Sequence, residues 1–526
     1  MRVISSVAAL AAVALAADDV KILTFRTCRQ TSYTTEGNQI FAVDPQNPAA
    51  KTPVKIKGVQ WFGTESIDGI PNGLWGKGSV QTNSGLNGTS LADMLQFLYD
   101  NKFNTVRIPL NGENIVNNTN LPKVTNIHGE NKEIALFDKG FVPKEADFIA
   151  RFVGSFQKYR IGTILDLHFL TAEPFPQDAN WYYPSYDEPK YTKAYQVAEY
   201  LATNFCKPAY WNIIGIDLKN AMTDVTWPAS AKDGNPKNDW ATAADAIAAR
   251  VNELCPQWIV FVTGASTGDF VPTGSKSKYK IWPGLNFANA TKRPLAAKNV
   301  VYSPQAFTQA FTIGDDYLPP QYFNNPSSNC SKALIGDKAT ECVTIQNGQK
   351  VPNTKKSLAC ENSKYVCNNY EPLAPADMTK IYQTLLDQNL GDVVKDAKVP
   401  VVFSSFGGIY GASQPVQTTV LDLLIKYIGA NTAGGIYYSL NPDTQMWLEG
   451  PAVPNKTVGV AHYGLMSSTS WQVANADLLA ALATLPTSDL PCYGDVQPGP
   501  VNVKSAAPAA ASMAMAVLIA ALALLV

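Results

Sequence analysis

Eight short apolar segments rich in valine and isoleucine recur along the chain, separated by segments whose apolar residues fall at helical spacing. The apolar segments are 54–61, 103–110, 161–168, 212–218, 258–264, 299–304, 399–407 and 434–440. Helical spacing covers 90–101, 144–159, 192–204, 241–254, 378–388 and 418–428. Strands that alternate with helices predict parallel pairing with right-handed crossovers, and eight such units close a barrel. The pattern therefore predicts an α/β fold of the (β/α)8 TIM-barrel type.

A doubly wound open sheet is the alternative fold for this alternation. It would usually have a glycine-rich turn of the GxGxxG kind after its first strand, and no such turn is present. Between the sixth and seventh predicted strands, the segment 305–398 holds four of the eight cysteines. Loops of this length are usually functional, and cross-links reduce the entropy cost of ordering them. We therefore favour the barrel, with a long disulfide-containing loop between strands 6 and 7.

Composition limits the classes of function. The chain has 526 residues, of which 46% are hydrophobic and 16% are charged, and its formal net charge is −1. This length suffices for a large core, and the charge balance gives no reason to expect a nucleic-acid partner. The cysteines include no CxxC pair of the kind that binds zinc. We expect neither a metal nor a cofactor.

Both ends of the chain resemble targeting segments. Residues 1–16 combine Arg2, an apolar run and a small-residue site ending at Ala16, which predicts a secretory signal cleaved after that residue. Residues 506–526 form an uncharged, apolar tail that fits a GPI-attachment signal, with Ser505 as the expected attachment site and a tail anchor as the alternative. The predicted organisation is a signal peptide over 1–16, a barrel domain over 17–492, a linker over 493–505 and the tail. It predicts a secreted protein held at the cell surface or wall, with a lipid anchor in the plasma membrane.

Cysteine and asparagine patterns agree with secretion. The eight cysteines are Cys28, Cys206, Cys255, Cys330, Cys342, Cys360, Cys367 and Cys492. We expect disulfides, but eight cysteines allow 105 pairings, so only Cys360 with Cys367 and Cys206 with Cys255 are suggested. Glycosylation sequons occur at Asn87, Asn117, Asn289, Asn329 and Asn455.

Polar side chains stand at the ends of three successive predicted strands. Arg107 lies in the second strand, Asp166 and His168 end the third, and Asn220 follows the fourth. Singly, each has an ordinary structural explanation: an arginine that holds loops, a histidine satisfied by backbone, an asparagine that caps a helix. The carboxyl ends of parallel strands meet at one face of a barrel. The sequence therefore predicts that these side chains converge on one cleft.

Motifs along the chain closely resemble those of glycoside hydrolase family 5, the cellulase family. The matching motifs, in order, are GVQWFGTES, FNTVRIPL, ILDLH, IIGIDLKN, WPGLN, VVYSP, SSFGG and SLNPD. Their order and approximate spacing match from Gly58 to Asp443. The resemblance implies a (β/α)8 barrel that cleaves β-glycosidic bonds with retention, using two glutamates on strands 4 and 7.

Both glutamates are replaced in this chain. Retaining hydrolysis needs one carboxylic acid and one carboxylate about 5 Å apart. The resemblance places the acid directly after Asn220, where the chain has Ala221, and the nucleophile in the second place of a Gly-Glu-Phe-Gly motif, where it has Ser405. It thus implies a catalytically degenerate member, a pseudoenzyme that binds β-glucan or a related wall polysaccharide.

Other cleft positions differ from the family as well. The family's histidine and tyrosine after strand 6 correspond to Gln305 and Phe307, and its sugar-stacking tryptophan on strand 8 corresponds to Tyr438. Its arginine, first histidine and asparagine are retained as Arg107, His168 and Asn220. Aromatic rings in or beside strand-end loops are candidate glycan contacts: Trp61, Trp75, Trp181, Tyr182, Tyr183, Trp227, Trp282 and Tyr438.

Two other functions remain open. An active β-glucanase or transglycosylase would need relocated carboxylates, for which the candidates are Glu65, Glu113, Glu173 and Asp224. A structural protein of the cell wall would retain a vestigial cleft that binds no ligand. The sequence does not choose among cellulose-like, β-1,3-glucan and mannan ligands.

Arg107 also leads to a structural expectation. The resemblance places it beside the missing nucleophile, and a buried guanidinium without a partner would cost several kcal/mol. We therefore expect Asp166 or a loop acid to pair with it, or the cleft to be more hydrated.

Overall fold

The structure, a computed structural model, describes most of the central part of the chain. The described residues are 28–66, 69–74, 88–121, 144–171, 181, 188–265, 269–270, 279–280, 282–308, 330–332, 343–346, 349–352, 365–367, 375–411, 415–442, 463–467 and 470–494. All except Gly494 belong to one compact unit, Cys28–Tyr493. The predicted signal peptide, Ser505 and the apolar tail lie outside the described residues. No helix in the described part is long and apolar enough to cross a membrane.

Twenty strands occur in the described residues. They are β1 Ser32–Glu36, β2 Gln39–Asp44, β3 Asn47–Val54, β4 Ile56–Gln60, β5 Thr105–Asn111, β6 Gly162–Phe169, β7 Ile213–Asp217, β8 Ile259–Val262, β9 Asp269–Phe270, β10 Tyr279–Lys280, β11 Val300–Tyr302, β12 Gln305–Phe307, β13 Cys330–Lys332, β14 Val343–Gln346, β15 Gln349–Pro352, β16 Tyr365–Cys367, β17 Val402–Gly407, β18 Gly434–Tyr437, β19 Met466–Ser467 and β20 Ser470–Ala474.

Eight α-helices occur in the same residues. They are α1 Leu91–Asp100, α2 Gly112–Asn117, α3 Glu145–Phe156, α4 Lys193–Phe205, α5 Trp240–Leu254, α6 Pro375–Asp396, α7 Pro415–Asn431 and α8 Ala476–Leu482. Short 3-10 turns lie at Gln157–Tyr159, Pro189–Tyr191, Pro208–Tyr210 and Ala231–Asp233. Side-chain caps at Ser90, Thr192 and Asp239 begin α1, α4 and α5 by accepting backbone N–H groups that the first helical turn leaves unpaired.

The largest sheet is the predicted parallel barrel. Its strand order is β11-β8-β7-β6-β5-β4-β18-β17-β12. At its ends, β11 pairs with β8 and β12 pairs with β17, while Tyr302 at the end of β11 also bridges to Val401. Strands β11 and β12 are therefore two halves of one barrel strand, interrupted at Ser303 and Pro304. The sheet closes with eight strand positions, which confirms the (β/α)8 prediction.

Alternation along the strands separates two apolar regions. Outward side chains pack against the helices in the larger core. Inward side chains near the amino ends of the strands form a second apolar cluster that contains Ile56, Ile164, Ile214, Ile259, Phe261, Val301, Val402 and Ile436. Tyr33, Ile40 and Val54 belong to the same cluster, so the antiparallel sheet β1-β2-β3 closes this end of the barrel. The open end, where the strands finish, is left for polar side chains.

Sequence patterning missed this amino-terminal sheet and the short helices α2 and α8. Strand β3 is exposed along almost its whole length, so no alternation of apolar and polar residues marks it. Helix α2 has six residues and α8 has seven, too few for a helical period to repeat. Elements this short are held by tertiary packing more than by their own periodicity.

Two disulfides join described cysteines. Cys206 pairs with Cys255, as predicted, and links the ends of α4 and α5. Cys28 pairs with Cys492, which ties together the two ends of the compact unit. In the long loop, Cys330 stands opposite Cys367 in the antiparallel register of β13 and β16. The suggested pair Cys360 with Cys367 lies outside the described side chains.

Glu145 gives a first testable prediction. It opens α3, is 1% exposed, and its Oε1 atom has no hydrogen-bond partner in the described part of the chain. Burial raises the pKa of Glu145 from 4.5 to about 9, although a hydrogen bond from Asn114 opposes the shift. Between these values the folded state retains a proton that the unfolded state has lost. The free energy of unfolding therefore falls as pH rises through this window, by up to about 1.4 kcal/mol per pH unit.

We expect Glu145→Gln to remove this slope. Near pH 4 the variant should match the parent chain, and near pH 8 it should be more stable by about 2–4 kcal/mol, because it needs no proton to remain neutral. Urea unfolding at both pH values measures the difference. Glu188→Gln, at an exposed glutamate paired with Lys190, is the matched control and should leave the slope unchanged. Equal slopes in Glu145→Gln and the parent chain would contradict the prediction.

Candidate functional site

A layer of polar side chains lies above the inward apolar cluster, toward the carboxyl ends of the barrel strands. Arg107 on β5 is its central member and is completely buried. Asp166 on β6 and Asp217 on β7 are also completely buried, and Gln60 ends β4. Arg107, Asp166 and Gln60 point inward by the alternation of their strands, whereas Asp217 does so because of a register shift in β7. This layer forms the floor of the predicted cleft.

Arg107 is held by two carboxylates and an amide. Its Nε and Nη2 atoms donate to Oδ2 of Asp217 at 3.1 and 2.9 Å, and Nη1 donates to Oε1 of Gln60 at 2.6 Å. Nη2 also lies 2.8 Å from Oδ1 of Asp166. Asp166 is thus one of the expected partners of Arg107. Asp217, the second carboxylate, was not singled out from the sequence.

The two carboxylates outnumber the one guanidinium, which affects Asp217. Burial raises the pKa of Asp217, Arg107 opposes this, and the negative charge of Asp166 raises it further. Oδ1 of Asp217 has no hydrogen-bond partner in the described residues. Asp217 is therefore more readily protonated in this floor than an aspartate in water would be.

His168 and Asn220 continue the network toward the cleft. Nδ1 of His168 lies 2.7 Å from Oδ2 of Asp166, and its Nε2 lies 3.3 Å from Nδ2 of Asn220. Oδ1 of Asn220 accepts from Nη2 of Arg107 at 3.2 Å and from Nε2 of Gln305 at 2.9 Å. The structure thus brings together all three residues retained from the family pattern, and Gln305 joins them.

Ala221 and Ser405 lie beside this network on separate strands. Ala221 follows Asn220 just beyond β7 and is partly exposed, whereas Ser405 is buried in β17 and pairs in register with Gln305 of β12. Neither side chain carries a carboxyl group. In the described residues no hydrogen bond joins Ser405 to His168, whose Nε2 faces Asn220. An activated serine nucleophile is therefore not assembled.

The loop acids considered as replacements lie in different environments. Asp224 is exposed, Glu113 is half-buried in α2, and Glu173 lies outside the described residues. Glu65 is 5% exposed, accepts the N–H of Gly63 at 2.7 Å, and interacts electrostatically with the His168 ring and Asp166. Burial raises the pKa of Glu65. Of the candidates that the structure describes, Glu65 has the clearest electrostatic contact with the cleft floor.

Aromatic side chains form a cluster next to the floor, and three of its four members, Phe62, Phe307 and Tyr463, are buried. Tyr438 follows β18 and is partly exposed. Its ring centroid lies 5.9 Å from Phe62, 5.8 Å from Tyr463 and 6.0 Å from Phe307, nearly parallel to the first two and perpendicular to the third. Burial and nearby Glu65 raise the pKa of Tyr438, whereas Arg107 opposes the shift. Phe307 and Tyr438 thus lie together, as predicted, with two rings that the sequence did not single out.

The tryptophans proposed for the cleft lie elsewhere. Trp61 is fully buried and packs against Phe152 and Trp471. Trp227 is 4% exposed and Trp282 is 6% exposed, and both belong to the outer core. These three rings are core residues, because an outward position on a barrel strand or loop places an indole against the helices. Trp181 is also fully buried, while Trp75, Tyr182 and Tyr183 lie outside the described residues.

Several floor residues escaped the sequence patterns. Asp217, Gln60 and Lys219 carry no spacing signal of their own, and Lys219 is a buried lysine whose Nζ donates to the carbonyl oxygen of His168 at 2.9 Å. A charged residue inside an apolar strand segment is the one local signal that could have identified Asp217. Burial of a charge requires a partner, and the sequence alone does not specify which residue provides it.

Comparison with known proteins agrees with this geometry. The family model described as cellulase, glycosyl hydrolase family 5, matches residues 51–444, well over half of the chain. The chain is 23% identical to an endoglucanase of Paenibacillus polymyxa over 415 residues, which cover 78% of this chain and 80% of that protein. It is 22% identical over 398 residues to the major extracellular endoglucanase of Xanthomonas campestris pv. campestris, covering 74% of this chain and 62% of that protein.

Solved structures show the same fold. A cellotetraose complex of a variant endocellulase from Pyrococcus horikoshii superposes with a TM-score of 0.59 at 20% identity, covering 87% of this chain and 99% of the other. The catalytic domain of the major endoglucanase from Xanthomonas campestris pv. campestris gives a TM-score of 0.56 at 20% identity, covering 86% and 99%. With the family model matching across the barrel, this chain belongs to glycosyl hydrolase family 5, the cellulase family.

Proposed function

We propose that this family 5 protein binds a β-glycan, most simply a β-glucan, in its cleft and does not hydrolyse it. The observation that supports the proposal is that polar residues of the cleft floor are retained, whereas the two residues that perform the reaction in the family are replaced. Arg107, Asp166, His168 and Asn220 form a connected network, while alanine and serine occupy the two positions that the family pattern assigns to the glutamates. Replacement of both glutamates leaves a groove without the two reacting carboxyl groups.

The missing groups account for the proposed lack of hydrolysis. Alanine has no proton to donate to a leaving oxygen, and a missing general acid or base typically costs about two to four orders of magnitude. A serine hydroxyl needs an adjacent base, and His168 is already engaged by Asp166 and Asn220. Loss of both groups removes both halves of the retaining mechanism.

The nature of the ligand follows from the aromatic cluster and from the relatives. Tyr438 is partly exposed, and its ring is supported by the buried rings of Phe62, Phe307 and Tyr463, so it offers an aromatic face of the kind on which sugar rings stack. The Pyrococcus horikoshii endocellulase was solved with cellotetraose, which makes a β-1,4-linked glucan the first ligand to test. Binding without cleavage would serve attachment to a glycan wall or protection of the glycan from active hydrolases.

Cell-surface location is part of the same proposal. It rests on the apparent signal peptide at residues 1–16 and the apolar segment 506–526. In this arrangement the barrel lies outside the cell, and a lipid anchor at Ser505 holds it to the plasma membrane. Release of the mature protein from intact cells by a phosphatidylinositol-specific phospholipase is the expected result. Retention after that treatment favours the tail anchor.

We expect the purified barrel domain to bind cellotetraose and to release no reducing ends from it. Tyr438→Ala should weaken binding about 3- to 10-fold, because aromatic contacts of this kind contribute roughly 0.5–1.5 kcal/mol. Calorimetric titration measures the affinity, with laminaritetraose and mannotetraose as alternative ligands. Tyr99→Ala, at an exposed tyrosine on the outer helix α1, is the matched control and should bind as the parent chain does.

Two outcomes would favour the other functions. Absence of binding to all three glycans would indicate a wall structural protein with a vestigial cleft. Hydrolysis or transfer by the parent chain would indicate relocated carboxylates, for which Glu65 provides the specific observation because it is buried and interacts with the His168 ring. In that case Glu65→Gln should abolish the activity. Asp224→Gln, at an exposed loop acid, should leave it intact.

A further inference from the structure

Gln305 holds a position that connects the two altered strands. It lies on β12, is 3% exposed, and stands in register with Ser405 of β17. Its Nε2 atom donates at 2.9 Å to Oδ1 of Asn220, the residue directly before Ala221. Gln305 therefore links the strand of the missing nucleophile to the strand end of the missing acid.

The orientation of the Asn220 amide follows from its neighbours. Arginine has only donors, so the Asn220 atom 3.2 Å from Nη2 of Arg107 must be Oδ1. Nδ2 then faces Nε2 of His168 at 3.3 Å, and that ring nitrogen must be the acceptor. The His168 proton consequently lies on Nδ1 and is donated to Asp166 at 2.7 Å.

This orientation determines what Asn220 can offer a ligand. A carbonyl oxygen has two lone pairs, and Oδ1 of Asn220 already accepts from Arg107 and from Gln305. One of the two amide hydrogens is directed to His168. Asn220 therefore has no acceptor left for a glycan hydroxyl, although it is partly exposed to the cleft.

We infer that Gln305 is a positioning residue that locks the Asn220 amide and thereby withholds its Oδ1 acceptor from a bound glycan. The second half of this inference rests on the proposed function, since it concerns glycan binding. The first half concerns the ligand-free protein and stands on the hydrogen bonds alone.

Nuclear magnetic resonance of the ligand-free protein tests the orientation of the network. The chain has three histidines, His128, His168 and His462, so the ring nitrogens of His168 are assigned by comparison with His168→Gln. In the parent chain we expect Nδ1 to be the hydrogen-bond donor of the ring and Nε2 to be the acceptor. A protonated Nε2 in the parent chain would overturn the assigned orientation.

A double-mutant cycle tests the lock, with cellotetraose as the probe. Gln305→Met keeps the length of the side chain and removes its donor, which frees one lone pair of Asn220. We expect it to tighten binding about 2- to 10-fold, the value of one hydrogen bond. Asn220→Ala should cost more affinity in the Gln305→Met background than in the parent chain, because only there does it remove the freed acceptor. A merely structural role for Gln305 would not produce this coupling.

Each result bears on a different part of the inference. Unchanged or weaker binding by Gln305→Met would overturn the lock, because it would show that Gln305 does not withhold an acceptor. An equal effect of Asn220→Ala in both backgrounds would overturn it as well. If none of the four chains binds cellotetraose, the proposed function fails, whereas the ring-nitrogen signals still decide whether the network has the inferred orientation.

Discussion

The double variant Ala221→Glu, Ser405→Glu is expected to hydrolyse β-glucan at least about 100-fold faster than the parent chain. The two substitutions return one carboxylic acid and one carboxylate to the strand-end positions that the family pattern assigns to them. The retaining mechanism needs this pair about 5 Å apart. The barrel strands and the floor that would position the pair are still present. Release of reducing ends from β-1,4-glucan and β-1,3-glucan measures the gain.

Matched amide variants distinguish the effect of the ionisable carboxyl groups from the effect of larger side chains. Ala221→Gln with Ser405→Gln introduces side chains of the same size without ionisable groups, so it should bind glycan and remain inactive. Each single glutamate variant should stay well below the double variant, because one group cannot perform both roles. A folded double variant with neither activity nor binding would count against a preserved glycan cleft.

The floor network limits how far restoration can go. The pKa of Asp217 is already raised by burial and by the charge of Asp166. The resemblance places the nucleophile beside Arg107, so a carboxylate at position 405 adds a third carboxyl group around that guanidinium. We therefore expect the double variant to be less stable than the parent chain. Adding Gln305→His, the family's residue at that position, should increase its activity further, because it removes the lock on Asn220.

Replacement of Arg107 by methionine is expected to lower the free energy of unfolding by about 3–5 kcal/mol. Arg107, Asp166 and Asp217 are all completely buried, so removal of the guanidinium leaves two carboxylates without their cation. The pair itself has a modest net value, but an unpaired buried charge has a large cost. Urea unfolding at constant pH measures the change.

Two further chains make this measurement specific. Arg250→Met removes an arginine whose partners, Glu199 and Glu253, are solvent-exposed, and its effect should be much smaller because water screens such pairs. Adding Asp217→Asn to Arg107→Met should recover part of the lost stability, since it removes one unpaired charge. Equal stability of Arg107→Met and Arg250→Met would mean that the floor network contributes little to folding.

Local sequence patterns predicted most strands and helices of the barrel well. Valine- and isoleucine-rich segments mark strands such as β5 and β6, and the segment predicted over 241–254 is α5, Trp240–Leu254. The sixth strand was harder to predict, because its backbone is interrupted at Ser303 and Pro304 and its second half pairs with β17. Proline lacks the N–H that a continuous ladder needs. Its position thus explains a boundary that apolar patterning alone did not reveal.

The candidate site was predicted unevenly, for a physical reason. Arg107, His168, Asn220, Gln305, Phe307 and Tyr438 were named from motifs, and the structure brings them together. Trp61, Trp227 and Trp282 were proposed for the cleft and belong to the core. The sequence around an aromatic residue near a strand end looks the same whether its ring faces the groove or the helices. One residue of displacement along a strand exchanges these two faces.

By itself, the sequence determined the barrel class, the family resemblance and the absence of both glutamates, because these depend on local periodicity and on which residue stands at each motif position. Tertiary structure decided which charges meet: Asp217 shares Arg107 with Asp166, and Gln305 reaches Asn220 across 85 positions of the chain. Such contacts form only when the closed barrel brings distant strand ends within about 3 Å of one another. Whether a retained residue is open to a ligand or already satisfied within the protein is therefore a property of the fold.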